Sequence, residues 1–268
     1  RDYSEPGEVL LEVSDLSLAP ANEFGTRLRD VSFELRAGEV LGIAGVAGNG
    51  QDELLAALSG ERTTAPGTIT LKGQPIGRLG PNARRAAGLL AAPEERLGHA
   101  AAPGMSLTEN ALLTGEVREK LTSSGFVAWQ KARSFAARVI EAFDVRTPGT
   151  ETAAGALSGG NLQKFVIGRE ILQRPDVFVV NQPTWGVDAS AAAAIRQAIL
   201  DLSASGAGVV CISQDLDELM EVSDRITALT EGRLAPPRPA KGITIEAIGL
   251  MMGGAHDMDV AHPEEVHA

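Results

Sequence analysis

The passage from residue 39 to residue 58 constrains the chain most. Residues 39–46 form a nearly continuous apolar run, the pattern of a strand covered on both faces rather than one alternating between core and water. The run leads into Gly45-Val46-Ala47-Gly48-Asn49-Gly50 and then into a helix-forming segment, residues 51–58. A doubly buried strand feeding a helix through a tight turn belongs to a layered α/β fold. The N-terminus of such a helix offers free backbone N–H groups and the positive end of its dipole, which suits a phosphate. The full phosphate-loop pattern is G-x-x-x-x-G-K-[ST], in which Lys neutralises β/γ-phosphate oxygens and the hydroxyl holds Mg²⁺. Gly45 and Gly50 keep that spacing, but Gln51 replaces the Lys and Asp52 the hydroxyl. Taken alone, the segment reads equally well as a tight strand–helix connection with Asp52 favourably placed in the first helical turn.

The rest of the chain supplies the other layers. Residues 9–13 and 31–35 alternate as strands, with a loop over 19–28, and residues 68–71 form a further strand closed by Lys72-Gly73-Gln74-Pro75. From about 106 to 154 the apolar spacing is helical, over 106–113 and 127–143. Strands return at 176–180 and 209–213. The Ala-rich helix between them, 188–205, has Asp188 to cap it and Gly206 to end it. Strand–helix–strand at this spacing predicts a parallel sheet. Residues 225–234 and a helix over 243–252 complete the fold.

Composition narrows the function. The chain of 268 residues is one large or two small domains at roughly 150 residues each. Lys+Arg 24 against Asp+Glu 35 leaves a net charge of −11, which disfavours wrapping nucleic acid or lying unaided on an anionic lipid surface. Hydrophobic content of 44% with 22% charged residues excludes wholesale disorder. The single cysteine, Cys211, rules out an intrachain disulfide and sits in an apolar run as a small core residue, in keeping with a cytoplasmic setting. No apolar stretch approaches the roughly 18 residues that span a bilayer, and Arg1-Asp2-Tyr3-Ser4-Glu5-Pro6 has no signal-peptide pattern. A membrane role would therefore need another chain to do the spanning. Residues 1–8 read as a linker. Residues 255–268, with His256, His262 and His267 among acids, read as a flexible tail, a metal role for the histidines being the alternative.

A second glycine motif decides between the readings of the first. Leu157-Ser158-Gly159-Gly160-Asn161-Leu162-Gln163-Lys164 opens a helix in which a serine cap is followed by two bare amides able to face a phosphate. It resembles the LSGGQ signature of ATP-binding-cassette (ABC) ATPases. Val177-Phe178-Val179-Val180-Asn181-Gln182-Pro183-Thr184 stands where that family has its Walker B strand, Gly186-Val187-Asp188 matches its D-loop, and Ile212-Ser213-Gln214-Asp215 its switch region. The turn at 45–51, Pro93-Glu94-Glu95-Arg96 (similar to the family's P-E-D-R), Asn181-Gln182-Pro183-Thr184 and the ending Thr244-Ile245-Glu246-Ala247-Ile248-Gly249-Leu250-Met251 narrow the resemblance further. They resemble the second cassette of tandem ABC proteins serving simple-sugar and nucleoside importers, over about residues 10–254. The nucleoside branch is most similar, because it too carries Gln for both the loop Lys and the Walker B Glu. Trp185 departs from the Arg usual there.

The resemblance implies an α/β P-loop NTPase fold over residues 9–254: a RecA-like core, an antiparallel β subdomain and an inserted α-helical subdomain near 100–160. It also implies a silent Walker side. Gln51 is neutral where a cation belongs, Asn181 and Gln182 replace the Walker B carboxylates, Gln214 replaces the switch His, and Glu94 stands where most cassettes have a Gln that ligates Mg²⁺. Losing one such group costs on the order of 10²–10³ in rate, so the four losses at Gln51, Asn181, Gln182 and Gln214 leave no hydrolysis. The signature (Leu157, Ser158, Gly159, Gly160, Asn161, Gln163) is intact and would complete the site of an N-terminal cassette of the same protein. Further implied partners are transmembrane permease subunits, touched through Glu94, Glu95 and Arg96, and indirectly a substrate-binding protein, at the cytoplasmic face of the membrane. The bland reading of 94–96 is a solvated charge cluster. ATP and Mg²⁺ would serve the full assembly, with Phe24 either stacking on adenine or anchoring its loop, and this domain itself holding nucleotide weakly or not at all. The rival readings are a competent ATPase domain, a regulatory cassette that binds no nucleotide and, disfavoured by the charge, a cassette acting on ribosomes or DNA.

Overall fold

Alternation of apolar and polar side chains builds the first layer. In the computed structural model, which describes residues 7–253, strand β1 (Val9–Leu18) pairs antiparallel with β2 (Leu28–Arg36), setting Val13 opposite Phe33 and Leu16 opposite Val31. Next come β3 (Val40–Ala44), α1 (Gln51–Ser59), β4 (Ile69–Leu71) and β5 (Gln74–Pro75), and the antiparallel sheet has the order β2-β1-β4-β5. The chain then forms α2 (Pro81–Ala87) and β6 (Leu89–Ala92) before turning helical. That part holds α3 (Leu107–Gly115), a hairpin of β7 (Thr122–Ser123) and β8 (Phe126–Val127), α4 (Trp129–Ala142) and α5 (Gly159–Ile171). It returns through β9 (Val177–Asn181), α6 (Ala189–Ala204), β10 (Gly208–Ser213), α7 (Leu216–Val222), β11 (Arg225–Thr230), β12 (Arg233–Leu234), β13 (Arg238–Pro239) and α8 (Ile245–Met252).

The central sheet runs β12-β11-β3-β10-β9-β6, with β13 also on β11, and the five strands from β11 to β6 are joined by four parallel pairings. Every residue of β3, β9 and β10 is buried. Successive side chains point to opposite faces of a strand, so each strand feeds two cores. Val40, Ala44, Phe178, Val180, Val209 and Cys211 join the core under the helices. Leu41, Ile43, Val177, Val179, Val210 and Ile212 join the core shared with the antiparallel sheet and α1. Cys211, in the core under the helices, is a buried free thiol, and burial pushes its pKa up.

The expected strands and helices are present, with revised ends. The helix expected over 127–143 begins at Trp129, because Ser124 and Gly125, both left-handed (φ 51° and 82°), turn residues 122–127 into a hairpin. The segment 225–234 divides into β11 and β12 around Glu231 and Gly232, also left-handed. Strand β6 and helices α2 and α7 are too short to carry a legible period. The readings of residues 1–6 and of the tail histidines lie outside the described residues.

One buried cation fastens α1, the helix that opens the candidate site. Arg84 on α2 is fully buried and donates to the carbonyls of Ala57, Leu58 (2.9 Å), Gly77 (3.1 Å) and Leu79 (2.9 Å). Two of these acceptors lie at the C-terminus of α1, where a positive charge meets the negative end of the dipole. Burial lowers the Arg84 pKa to about 10. Replacing Arg84 with Met keeps the bulk and removes the guanidinium donors, Gly77 O alone keeping a second one, the Thr64 N–H at 2.8 Å. Urea unfolding is expected to show a loss of roughly 3 kcal/mol; a loss below about 1 kcal/mol would mean that water takes over the guanidinium's contacts.

Candidate functional site

The glycine turn after β3 is packed from outside and filled from inside. A Cβ on Gly45 would lie 2.7 Å from the Leu229 carbonyl oxygen and 2.8 Å from Gln51 Nε2, so no larger residue fits. Gly48 and Gly50 are left-handed, and Gly50 occupies the cap position of α1. Val46, Ala47 and Gly48 are exposed on the outer side of the turn. Gln51, buried, folds its carboxamide back into the loop: Nε2 donates to Val46 O (2.8 Å) and Oε1 accepts the Asn49 N–H (2.9 Å). Asn49 reinforces this, donating through Nδ2 to Val46 O (2.7 Å) and accepting the Glu231 N–H on Oδ1 (2.8 Å). Neutral amide groups thus satisfy the turn where a phosphate-loop pattern would have an ammonium and an anion.

The C-terminal ends of β9 and β10 lie beside it. Asn181, buried, donates weakly through Nδ2 to Asp52 Oδ1 (3.4 Å), and its Oδ1 has no hydrogen-bond partner. Gln182 adopts a left-handed backbone (φ 52°), unusual for a non-glycine residue. Its N–H donates to Ile212 O (2.8 Å) and its Oε1 accepts the N–H of half-buried Gln214 (3.2 Å). Buried Glu218 accepts from Thr184 Oγ1 (2.6 Å) and Ser213 Oγ (2.7 Å), clamping the loops after the two strands. Burial pushes its carboxyl above the usual range, against those two hydrogen bonds. The sequence reading missed this clamp. Its signal was the spacing Asp215-x-x-Glu218, a helix-start pattern in which Asp215 does accept the Glu218 N–H while the Glu218 side chain turns inward.

These loops open onto a cleft of about 1050 Å³ that reaches from Gly48, Gln51 and Asp52 past residues 93–97 to Leu157, Gly159 and Trp185. Its charge is lopsided: Asp52, Glu53, Glu61, Glu94 and Glu95 line it against Arg62, Arg96 and His99. His99 Nε2 meets both oxygens of Glu61, at 2.9 and 3.0 Å. Burial raises the Asp52 pKa, helped by Glu53 and opposed by His99. Burial and then Asp52 raise that of Glu94, with Arg96 opposing. Phe24 is 95% exposed at the cleft, which goes against the second of its two readings, an anchor for its loop.

The second glycine motif sits at the start of α5. Ser158 caps it, its Oγ accepting from the Asn161 N–H (3.4 Å) and from Asn161 Nδ2 (2.9 Å), while Asn161 Oδ1 accepts the Arg146 N–H (2.8 Å). Ser158 and Gly159 are exposed, Leu157, Gly160 and Asn161 half-buried. Gln163 faces inward and donates to Pro183 O (2.8 Å), tying α5 to the loop after β9. Asp188 caps α6 by accepting the Ala191 N–H (3.0 Å), which holds its carboxyl below the usual range. Glu94 and Glu95 are exposed on the cleft wall and Arg96 is half-buried. Among the described residues no hydrogen bond joins the turn at 45–52 to residues 157–160; they share only the cleft.

A family model described as ABC transporter matches residues 28–185 of this chain. The chain belongs to the ABC transporter family. It is 39% identical over 259 residues to the glucose import ATP-binding protein TsgD13 of Haloferax volcanii, covering 96% of this chain and 47% of that protein. It is 37% identical to the guanosine import ATP-binding protein NupO of Bacillus subtilis, covering 94% and 49%. To the nucleoside import ATP-binding protein NupA of Lactococcus lactis it is 33% identical, covering 94% and 50%. This ABC chain therefore spans about half the length of these relatives. The fold also superposes on the ATP-binding subunit of an ABC transporter (TM-score 0.72, 21% identity, 91% of this chain and 99% of that one). It matches a dimeric cassette in a post-hydrolysis state bound to ADP and Pi as well (TM-score 0.72, 18% identity, 87% and 100%). The P-loop NTPase cassette fold expected from the motifs is the fold observed. No helix among the described residues is long and apolar enough to cross a membrane.

The Glu218 clamp gives a pH test. A carboxyl raised in the folded state binds its proton more tightly there than in the unfolded chain, so stability falls as pH rises through the window above the usual Glu range. In Glu218→Gln that loss is absent, and the melting temperature of the variant relative to the parent should rise between pH 4 and pH 7. A difference independent of pH would mean that Glu218 titrates as an ordinary carboxyl.

Proposed function

We propose that this chain is one ATP-binding cassette, the C-terminal half, of an importer for nucleosides or simple sugars, and that its own nucleotide loop is catalytically silent. Its part in hydrolysis is to present Leu157, Ser158, Gly159 and Gly160 to the nucleotide held by a partner cassette. The observation that carries this reading is the contrast between the two glycine motifs. The turn at 45–51 is filled by the Gln51 and Asn49 amides, whereas the N-terminus of α5 is capped, exposed and free of such a plug. The relatives named for glucose, guanosine and nucleoside import support the substrate class.

A magnesium nucleotide does not fit the loop as it stands. It would have to break both Gln51 contacts, and it would bring phosphate charge beside Asp52 and Glu94, whose ionised forms are already disfavoured by burial. Asn181, Gln182 and Gln214 are neutral amides, unable to act as a base. No catalytic step is assigned to this side. ATP and Mg²⁺ belong to the assembled pair, which works at the cytoplasmic face of the membrane with permease subunits docking near Glu94 and Glu95 and a binding protein delivering substrate.

Calorimetry with Mg-ATP on the isolated chain, with phosphate release followed on the same sample, tests the silent side: no turnover is expected, and turnover free of contaminants would overturn it. In the assembled importer, Gly159→Asp is expected to abolish ATP hydrolysis and uptake while Gln51→Lys changes little. Normal hydrolysis by the Gly159 variant would remove the division of labour.

A further inference from the structure

Arg96 lies where three segments meet. It follows β6, the edge strand of the parallel sheet, in the segment whose neighbours Glu94 and Glu95 are exposed on the cleft. Its own side chain is half-buried and bonds to two other segments. Nη2 donates to the carbonyl of Trp185, in the loop after β9, at 2.9 Å, and Nη1 donates to the carbonyl of Gly159, the first residue of α5, in a longer bond of 3.4 Å. Glycines flank the guanidinium at both ends. A Cβ on Gly186, left-handed at φ 65°, would lie 3.3 Å from Nη2, and one on Gly159 would lie 3.8 Å from Nη1. The backbone of the Arg96 segment is itself held, with Ala101 N–H donating to Arg96 O (2.8 Å) and Ala100 N–H to Glu95 O (3.0 Å).

We propose that Arg96 is the positioning residue that sets the N-terminus of α5 and the 185–187 loop relative to the 93–96 segment. Chemistry favours this assignment over a plain surface charge. A cation beside a helix N-terminus meets the positive end of the dipole, so attraction to the helix does not explain its place; the two carbonyls do. A planar guanidinium carries separate N–H groups fixed at one angle and can hold two backbone segments at a set distance, whereas an ammonium is a point charge on a flexible stem. Gln163, bonded to Pro183 O one helical turn further on, already ties α5 to the start of the loop after β9. Arg96 adds the one connection among these that reaches the 93–96 segment. This inference rests on the reading above in one respect: if the start of α5 serves a partner's nucleotide and 93–96 faces the permease, a push on 93–96 reaches the partner's site through this side chain.

The structural arm uses the chain alone. By amide hydrogen exchange, Arg96→Ala should speed exchange about tenfold or more at the hydrogen-bonded amides of both segments, Asn161 and Leu162 at the start of α5 and Trp185 and Val187 in the loop after β9, with the amides of β9 and β10 unchanged. Arg96→Lys should fail to restore protection to both segments together. Unchanged exchange in the Ala variant, or full restoration by Lys, would overturn the strut. The functional arm uses the assembled importer. There Arg96→Ala should lower kcat for ATP hydrolysis at least about tenfold while KM for ATP stays within about twofold, since the geometry of the completing motif changes and the nucleotide-holding loop does not. An unchanged kcat in importer that Gly159→Asp inactivates would overturn the coupling role. Activity retained by Gly159→Asp would instead fault the reading of α5, leaving the exchange result to decide the strut.

Discussion

The parallel sheet covered on both faces is the constraint on which the rest depends. Strands β3, β10 and β9 bury every side chain, alternate residues going to the core under the helices and to the core shared with the antiparallel sheet. Neither core can form without the other, because a one-residue slip in any of these strands would exchange the two sets. The in-register pairs Val210–Leu41 and Val210–Val179 fix where the strands end together. The turn at 45–50, the loop at 182–188 and the turn at 214 all leave from those ends, so the cleft follows from the register.

Within that frame the polar contacts between loops are made by amides, hydroxyls and the Glu218 carboxyl. Gln51 and Asn49 close the first turn, Gln182 reaches Gln214, and Thr184 and Ser213 meet on Glu218. Each of these contacts is a hydrogen bond between groups of the protein. Asp52 and Glu94 carry carboxyls on the cleft side of these loops, and burial disfavours their ionised forms. A loop stabilised by its own side chains and fronted by acids is a different chemical object from one waiting for a triphosphate, though both share a backbone path.

Among the described residues the two ends of the cleft exchange no direct hydrogen bond, yet each contacts the end of β9 or the loop after it. Asn181 touches Asp52 at one end; Gln163 and Arg96 tie the loop after β9 to α5 at the other. The segment after the edge strand β6 runs between them. That the edge strand carries this segment matters, because an edge can shift with less disturbance to the buried strands than an inner position could.

By itself the sequence determined the layered α/β class, the buried strands and their crossover helix, the cap residues Ser158 and Asp188, and the two glycine motifs. These are local properties: periodicity, capping and backbone freedom act between residues a few positions apart. The order in which the strands lie, the short strand β6, the hairpin at 122–127 and the company kept by side chains facing the cleft were decided only by the tertiary structure. Gln51 could be read as a missing lysine, but not as the group that fills its own turn. Arg96 could be read as part of a charged run, but not as a guanidinium held by Gly159 and Trp185, 63 and 89 positions away in the chain. Hydrogen bonds of that span depend on where a register places each loop end, and no single stretch of sequence encodes it.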